Sequence, residues 1–216
     1  MSLKRSRILN IFCIIVSLIA FSSCNKKTFN DDTVILLGTE DYVIPLENII
    51  PDSIYADFRS YMGNMPEGYI PPNVEGEYLI SNKSFCGSNF FDIFDDCDLH
   101  LRISRQHNRI ATVEFHENSI VVTDTAFVMG SEKNFTLYFI EKKEIKLFGI
   151  VSLVDRCVVI TGEKCDSGIQ SLMFGSIIMK VHKGDNPFIG TFIPGRFFVY
   201  KDGDGFSENY KWFDYQ

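Results

Sequence analysis

The sequence predicts a mainly β protein, an antiparallel barrel of about eight or nine strands preceded by one short N-terminal α-helix. Three observations point there. From Val74 onward apolar residues alternate with polar ones in run after run, short turn signals separate the runs, and helical spacing is confined to "PDSIYADFRSYMG". Sequential strands with short links pair as a meander, and rolling that meander up removes its exposed edges.

The elements follow in chain order. Residues 1–24 comprise a basic head (Lys4, Arg5, Arg7), an apolar stretch from Ile8 to Phe21 broken only by Asn10 and Ser17, and Ser22 and Ser23 before Cys24. That is the layout of a signal peptide. A membrane-spanning helix takes about 20 apolar residues, more than this stretch offers, so a permanent transmembrane anchor is the weaker reading. Within "AFSSCNKK" the small residues directly before cysteine resemble the lipobox of bacterial lipoproteins, with Phe21 standing where many such boxes have Leu. The resemblance implies cleavage after residue 23, acylation of Cys24, and stable attachment because more than one chain is buried. Residues 24–40, polar at first in "NKKTFNDD", read as a tether, and 41–73 as a segment containing the helix. In that helix Ile54, Phe58, Tyr61 and Met62 share a face, Asp52 or Ser53 can cap the start, and Gly63 can close the end. "NMPEGYIPPNVEG", with three prolines and two glycines, then breaks any regular element.

Residues 74–216 form the expected barrel domain. In "DLHLRIS" Leu99, Leu101 and Ile103 alternate with His100, Arg102 and Ser104; in "RIATVEFHE" Ala111, Val113 and Phe115 alternate with Thr112, Glu114 and His116. Further strands are expected at "EGEYLIS", "SIVVTDTAFVM", "NFTLYFIEKK", "EIKLFGIVSLV", "RCVVITG", "IQSLMFGSIIMKVH" and "RFFVYKD". The Gly-x-aromatic of "VEGEYLIS" resembles the opening of calycin and lipocalin-like barrels, with Tyr78 where those families usually have Trp. "VVITGEKCDSGIQSLMFGSIIMKV" and "GRFFVYKDGDGFSENYKW" are similar to uncharacterised lipoproteins of gut Bacteroidetes. That likeness implies a calycin-like barrel at the outer membrane with no assigned activity.

Composition narrows the function. Loss of residues 1–23 removes three positive charges and takes the formal charge from −7 to −10 over 193 residues, which gives no electrostatic reason to seek nucleic acid. An apolar content of 45% with 20 phenylalanines excludes disorder for most of the chain. With Cys13 in the signal and Cys24 acylated, Cys86, Cys97, Cys157 and Cys165 remain. An even number in an exported chain suggests two disulfides with three connectivities. Cys86 with Cys97 is favoured across "CGSNFFDIFDDC"; Cys157 with Cys165 requires the chain to reverse near Gly162. No C-x-x-C spacing supports a structural metal.

Candidate sites are few. Asp202, Asp204 and Glu208 in "KDGDGFSE" offer hard oxygen ligands but lack the EF-hand spacing, and Asp-Gly pairs also make hairpin turns, the favoured reading. Asp92, Asp95, Asp96 and Asp98 gather beside Cys97 and read as a solvated charge run. His100, His107, His116 and His182 show no metalloprotease spacing, and His100 and His116 fall on polar strand faces. There is no G-x-S-x-G elbow or penicillin-recognition spacing, so no catalytic residue is assigned. Phe90, Phe91 and Phe94, or Tyr210, Trp212, Phe213 and Tyr215, can stack on sugars or simply pack. "DTV", "DSI" and "DTA" resemble the O-glycosylation acceptor of Bacteroidetes, which would place sugars on Thr33, Ser53 and Thr125.

The expected function is therefore non-enzymatic: a monomeric, lipid-anchored barrel on the periplasmic or cell-surface face of the outer membrane, without cofactor, binding a small or apolar ligand or a partner. A glycan-facing accessory or adhesion lipoprotein is the alternative, and an unrecognised hydrolase the third. An apolar internal cavity of a few hundred cubic ångströms would favour the first; a filled interior with aromatics on the rim would favour the second.

Overall fold

The computed structural model describes residues 43–81, 83–89, 98–117, 120–147, 150–183 and 193–210. The expected signal and tether, with Cys24, lie outside them. Among the described residues ten strands follow one another: β1 (Gly76–Ile80), β2 (Ser84–Ser88), β3 (Leu99–His107), β4 (Ile110–Glu117), β5 (Ile120–Ser131), β6 (Asn134–Leu147), β7 (Ile150–Cys165), β8 (Gly168–Lys183), β9 (Phe197–Lys201) and β10 (Phe206–Glu208). All pair antiparallel in the order β1-β3-β4-β5-β6-β7-β8-β9-β2, and β10 pairs β8 beyond the end of β9. The two ends of this order are one run of chain, because β1 leads directly into β2. Ser84 of β2 lies opposite Lys201, Tyr78 of β1 bridges Asn209, and the Tyr210 N–H donates to the Glu77 carbonyl at 2.7 Å. The sheet thus curls into a barrel-like meander, the class that the alternation predicts.

Side-chain parity sorts the residues into two cores. Leu101, Val113, Phe115, Phe135, Leu137, Val158, Ile160 and Phe174 face inward, with Phe115 stacked on Phe174 at 5.5 Å between centroids. Their strand neighbours Phe127, Met129, Tyr138, Cys157, Val159 and Ile177 face outward into a second core beneath the N-terminal segment. Two short helices supply its roof, α1 (Leu46–Ile49) and α2 (Asp52–Met62). Helix α2 buries Phe58 and Met62, each contributing about 1.5–3 kcal/mol of burial energy. It sits close because β8 carries Gly175 below it: a Cβ there would lie 2.8 Å from the Met62 Sδ. The Tyr138 hydroxyl ties the segment down, donating to the Ile44 carbonyl at 2.7 Å.

Several expectations need correction. Helix α2 has Pro51 at its N-cap and no side-chain cap bond, so neither Asp52 nor Ser53 caps it; Gly63, at φ +68°, does end it. Helix α1 is an addition. "EIKLFGIVSLV" is not one strand, because the chain reverses between Leu147 and Ile150. Among the described residues no disulfide forms, and Cys86, Cys157 and Cys165 are free thiols; Cys97, the favoured partner of Cys86, lies outside the described residues. Gly162 does not reverse the chain. Cys157 and Cys165 lie on β7 itself, about 26 Å apart at ~3.3 Å per residue, whereas a disulfide needs Cα atoms about 5.5 Å apart.

No helix among the described residues is long and apolar enough to cross a membrane. At one end of the barrel the ladders are continuous through the β5–β6 and β7–β8 turns. At the other, the β5–β6 ladder stops at Phe127 opposite Tyr138, while β6 and β7 run on together to their turn. These two ends differ in chemistry.

Candidate functional site

The continuous end carries a displayed loop. Residues 63–75 cross the β5–β6 turn, where the Gly130 N–H donates to the Gly68 carbonyl at 2.7 Å and Tyr69 bridges Gly130. Both positions need glycine: a Cβ on Gly68 would strike the Gly130 carbonyl, and Gly130 has a φ of +147°. Further along, the Val74 N–H donates to the Gln106 Oε1 at 2.8 Å, and the Gln106 Nε2 donates to the Pro72 carbonyl at 2.9 Å. Between these anchors Tyr69 is 73% exposed and Ile70 83% exposed. The Arg109 guanidinium lies 5.3 Å from the Tyr69 ring centroid, so the ring is supported from below.

Beside this loop is a cleft of about 540 Å³, lined by Pro72, Asn73, Glu132, Lys133, Lys164, Cys165 and Asp166. Its polar groups come from two hairpin turns and the displayed loop, all tied to the sheet by backbone bonds. The Lys164 ammonium donates to the Cys165 carbonyl at 2.8 Å and lies 5.6 Å from the Tyr78 ring. Burial, then the neighbouring Cys165 and Glu75, push the Tyr78 phenol well above its ordinary range; it donates to the Val74 carbonyl at 2.9 Å. An amide, two ammonium groups and two carboxylates around an open hollow, on the loop that also displays Tyr69, make a surface suited to polyhydroxylated ligands. Tyr presents both an apolar face and a polar tip. A smaller hollow of about 300 Å³ lies between the end of α2, at Met62 and Asn64, and Thr161, Ser171 and Met173.

The opposite end places charges inside the barrel. Glu141 follows Phe135, Leu137 and Phe139 on the inward face of β6; Arg156 stands directly across from it on β7. They are 0% and 3% exposed and form an ion pair from the Arg156 Nε to the Glu141 Oε1, with the guanidinium 6.0 Å from the Phe115 ring centroid. The Glu141 Oε2 is buried with no hydrogen-bond partner. Asp124, across β4 from the inward-facing Val113, is half-buried, and burial raises its carboxyl pKa against the Thr125 N–H that lowers it. The inner lining is thus apolar toward the cleft and charged where β5 and β6 part.

The sequence-predicted residues are placed as follows. Asp202 and Asp204 interact with each other, and no group of three carboxylates forms there among the described residues. The Asp202 carboxylate is buried and accepts the Ser207 hydroxyl at 2.5 Å, Asp204 accepts the Phe206 N–H at 3.0 Å, and Glu208 is exposed. The turn reading is the one the structure supports, and Gly205, at φ +78°, belongs to it. Burial raises the Asp202 pKa, with Asp204 adding to it. Among the described residues no group of three or more His, Cys, Asp or Glu side chains is arranged to hold a metal. His100 and His116 lie on the outer face as expected, directly opposite each other on β3 and β4. Burial lowers the proton affinity of both rings, and each ring also has charged neighbours. His107 is exposed, and the His182 Nε2 pairs with Asp155 at 2.7 Å.

Tyr210 is 44% exposed, while Trp212, Phe213 and Tyr215 lie outside the described residues. Phe90, Phe91, Phe94, Asp92, Asp95, Asp96 and Thr33 lie outside them too; Ser53 and Thr125 are exposed. Sequence reasoning missed Tyr69, Lys133, Lys164, Glu141 and Arg156. The last two left a signal, a single charge of opposite sign ending the inward apolar series on each of two adjacent strands. No family model matches the chain, and no curated protein or solved structure matches it.

Proposed function

We propose that the protein is a lipid-anchored, non-enzymatic lipoprotein of the outer membrane, held through Cys24, that recognises a glycan at the cleft end of its barrel. The observation that carries this reading is the polar hollow of about 540 Å³, lined in part by Pro72 and Asn73 of the loop that displays the braced and exposed Tyr69. The inner core supports it as well. Phe115, Phe135, Phe139 and Phe174 are all buried there, with the Phe115 ring 6.0 Å from Phe139 and 5.5 Å from Phe174, which favours recognition at the rim. The lipobox-like "AFSSC" supports the anchor, and the likeness to Bacteroidetes lipoproteins supports the envelope setting. The test is binding of the purified protein to a panel of soluble polysaccharides and oligosaccharides. At least one glycan should bind, and Tyr69→Ala and Lys133→Ala should each weaken it about tenfold, as loss of one stacking or charged contact does. Binding that neither substitution changes, or no binding across the panel, overturns the proposal.

A second reading, a small ligand held inside the barrel, draws on the buried and unpartnered Glu141 Oε2. Its ligand would bring an O–H or N–H donor to that oxygen. Native mass spectrometry decides it: a retained small molecule lost in Glu141→Gln supports it, and a bare chain argues against it.

A further inference from the structure

The outer face of β3 and β4 holds a pair of side chains that neither reading uses. His100 and His116 are cross-strand partners in the ladder that runs from Leu99 opposite Glu117 to His107 opposite Ile110. Directly opposed residues of an antiparallel pair have Cβ atoms about 4.5–5.5 Å apart and project to the same side. Two imidazole nitrogens bound to one tetrahedral ion, each at about 2.0–2.1 Å, stand about 3.3 Å from each other, a separation such a pair can reach by side-chain rotation alone. The backbone need not move.

The surroundings carry both signs of charge. Arg102, on the same face, pairs with Glu77 at 2.8 Å and Glu114 at 3.3 Å, and still acts against positive charge at His116. Asp98 interacts electrostatically with His100 from the start of β3, and Glu114 does so with His116. The Tyr210 ring lies 6.2 Å from the His100 ring at 64°, walling one side. On the other, the β5 residue opposite His116 is Val121, 56% exposed. Two imidazoles with carboxylates nearby and room for water suit borderline divalent ions, and copper binds such nitrogen sites more tightly than zinc or nickel.

We propose that His100 and His116 form a cross-strand chelate for a borderline divalent ion of the zinc, nickel or copper class on the outer wall of the barrel. Two protein ligands make it an open site whose remaining positions are taken by water. The test uses the full-length protein stripped with a chelator, titrated with Zn²⁺ by calorimetry and with Cu²⁺ by electron paramagnetic resonance. One equivalent of Cu²⁺ showing hyperfine coupling to imidazole nitrogen is expected. His100→Gln and His116→Gln should each weaken Zn²⁺ binding at least tenfold, the double variant should lose little more, and His107→Gln should change nothing. Circular dichroism checks that each variant is folded. If a variant fails to fold, the copper spectrum of the parent decides alone: nitrogen coupling upholds the site and its absence refutes it. Binding that survives both substitutions, or that follows His107, also refutes it.

Discussion

Replacing Arg156 with methionine tests how dry the charged end of the barrel is. Glu141 and Arg156 are 0% and 3% exposed and are bonded directly across the β6–β7 ladder. Methionine fills much of the space left by the arginine stem but leaves the Glu141 carboxylate buried without a counter-charge. Removing one member of a buried pair costs about 3–5 kcal/mol, because the survivor's desolvation is no longer offset. Loss of the guanidinium from the Phe115 ring adds about 0.5–1 kcal/mol, for a total of about 3.5–6 kcal/mol. Against a typical total stability of about 5–15 kcal/mol this is a large fraction, and it lowers the melting temperature by about 7–24 °C in a chain of this size. Urea unfolding of the parent, Arg156→Met, Glu141→Leu and the double variant gives the full cycle. The double variant should unfold within about 1.5 kcal/mol of the parent or be more stable, since an apolar pair of similar volume replaces the ion pair without desolvating a charge. A loss below about 1 kcal/mol in Arg156→Met refutes the reasoning, for it means that water reaches Glu141 and solvates it.

Four further outcomes follow from named contacts. Tyr69→Ala should leave stability within about 0.5–1 kcal/mol of the parent by thermal unfolding, because the ring is 73% exposed and gives up only its contact with Arg109. Tyr138→Phe removes the hydroxyl that donates to Ile44 and should cost about 0.5–1.5 kcal/mol, with faster hydrogen exchange confined to residues 43–50. Burial pushes the Cys157 thiol up to about 12, so iodoacetamide at pH 8 should leave it unmodified in the native protein while alkylating Cys165, as peptide mass mapping will show. Burial also raises the Asp202 carboxyl above its ordinary value of 3.8, so folding binds its proton more tightly; that contribution is full below pH 3.8 and is lost as pH rises through the raised folded value. Asp202→Asn, which cannot titrate, should therefore show less loss of stability than the parent between pH 3.5 and 7 in urea unfolding.

What the sequence revealed depended on how many faces each strand buries. Strands β3 and β4 bury one face and leave the other to Arg102, Glu114 and the histidines, so Leu99, Leu101 and Ile103 stand out at period two. Strands β5 to β9 bury both faces along much of their length, one in the barrel and one under α1 and α2. There "FTLYFI" and "CVVI" lose their alternation, and strand ends become illegible. That is why two long strands whose ladder ends at Leu147 opposite Ile150 read as three short ones. The Cys157–Cys165 pairing failed with it, since it presumed a turn inside what is one unbroken strand. Strand β2 was missed because "SFCGS" has no apolar period, and its bulge beside Gly87 is a property of the β9 ladder. The cap at Asp52 failed because Pro51 occupies the position before the first helical turn.

The candidate cleft was hidden for a related reason. "EGYIPP" reads as a chain breaker, and nothing local distinguishes a slack connector from a braced one. The bracing comes from Gly130 and Gln106, about 60 and 35 residues farther along, and only the meander brings them to Gly68, Pro72 and Val74. Such bracing has a consequence for binding. A ligand that meets Tyr69 and the cleft lysines does not have to order the loop, so its contact energy is not spent on chain entropy. The charged end lacks this support, since β5 and β6 part above Phe127 and Tyr138. Affinity at the rim should therefore change little with temperature-induced loosening of the charged end, whereas any ligand at Glu141 would depend on it.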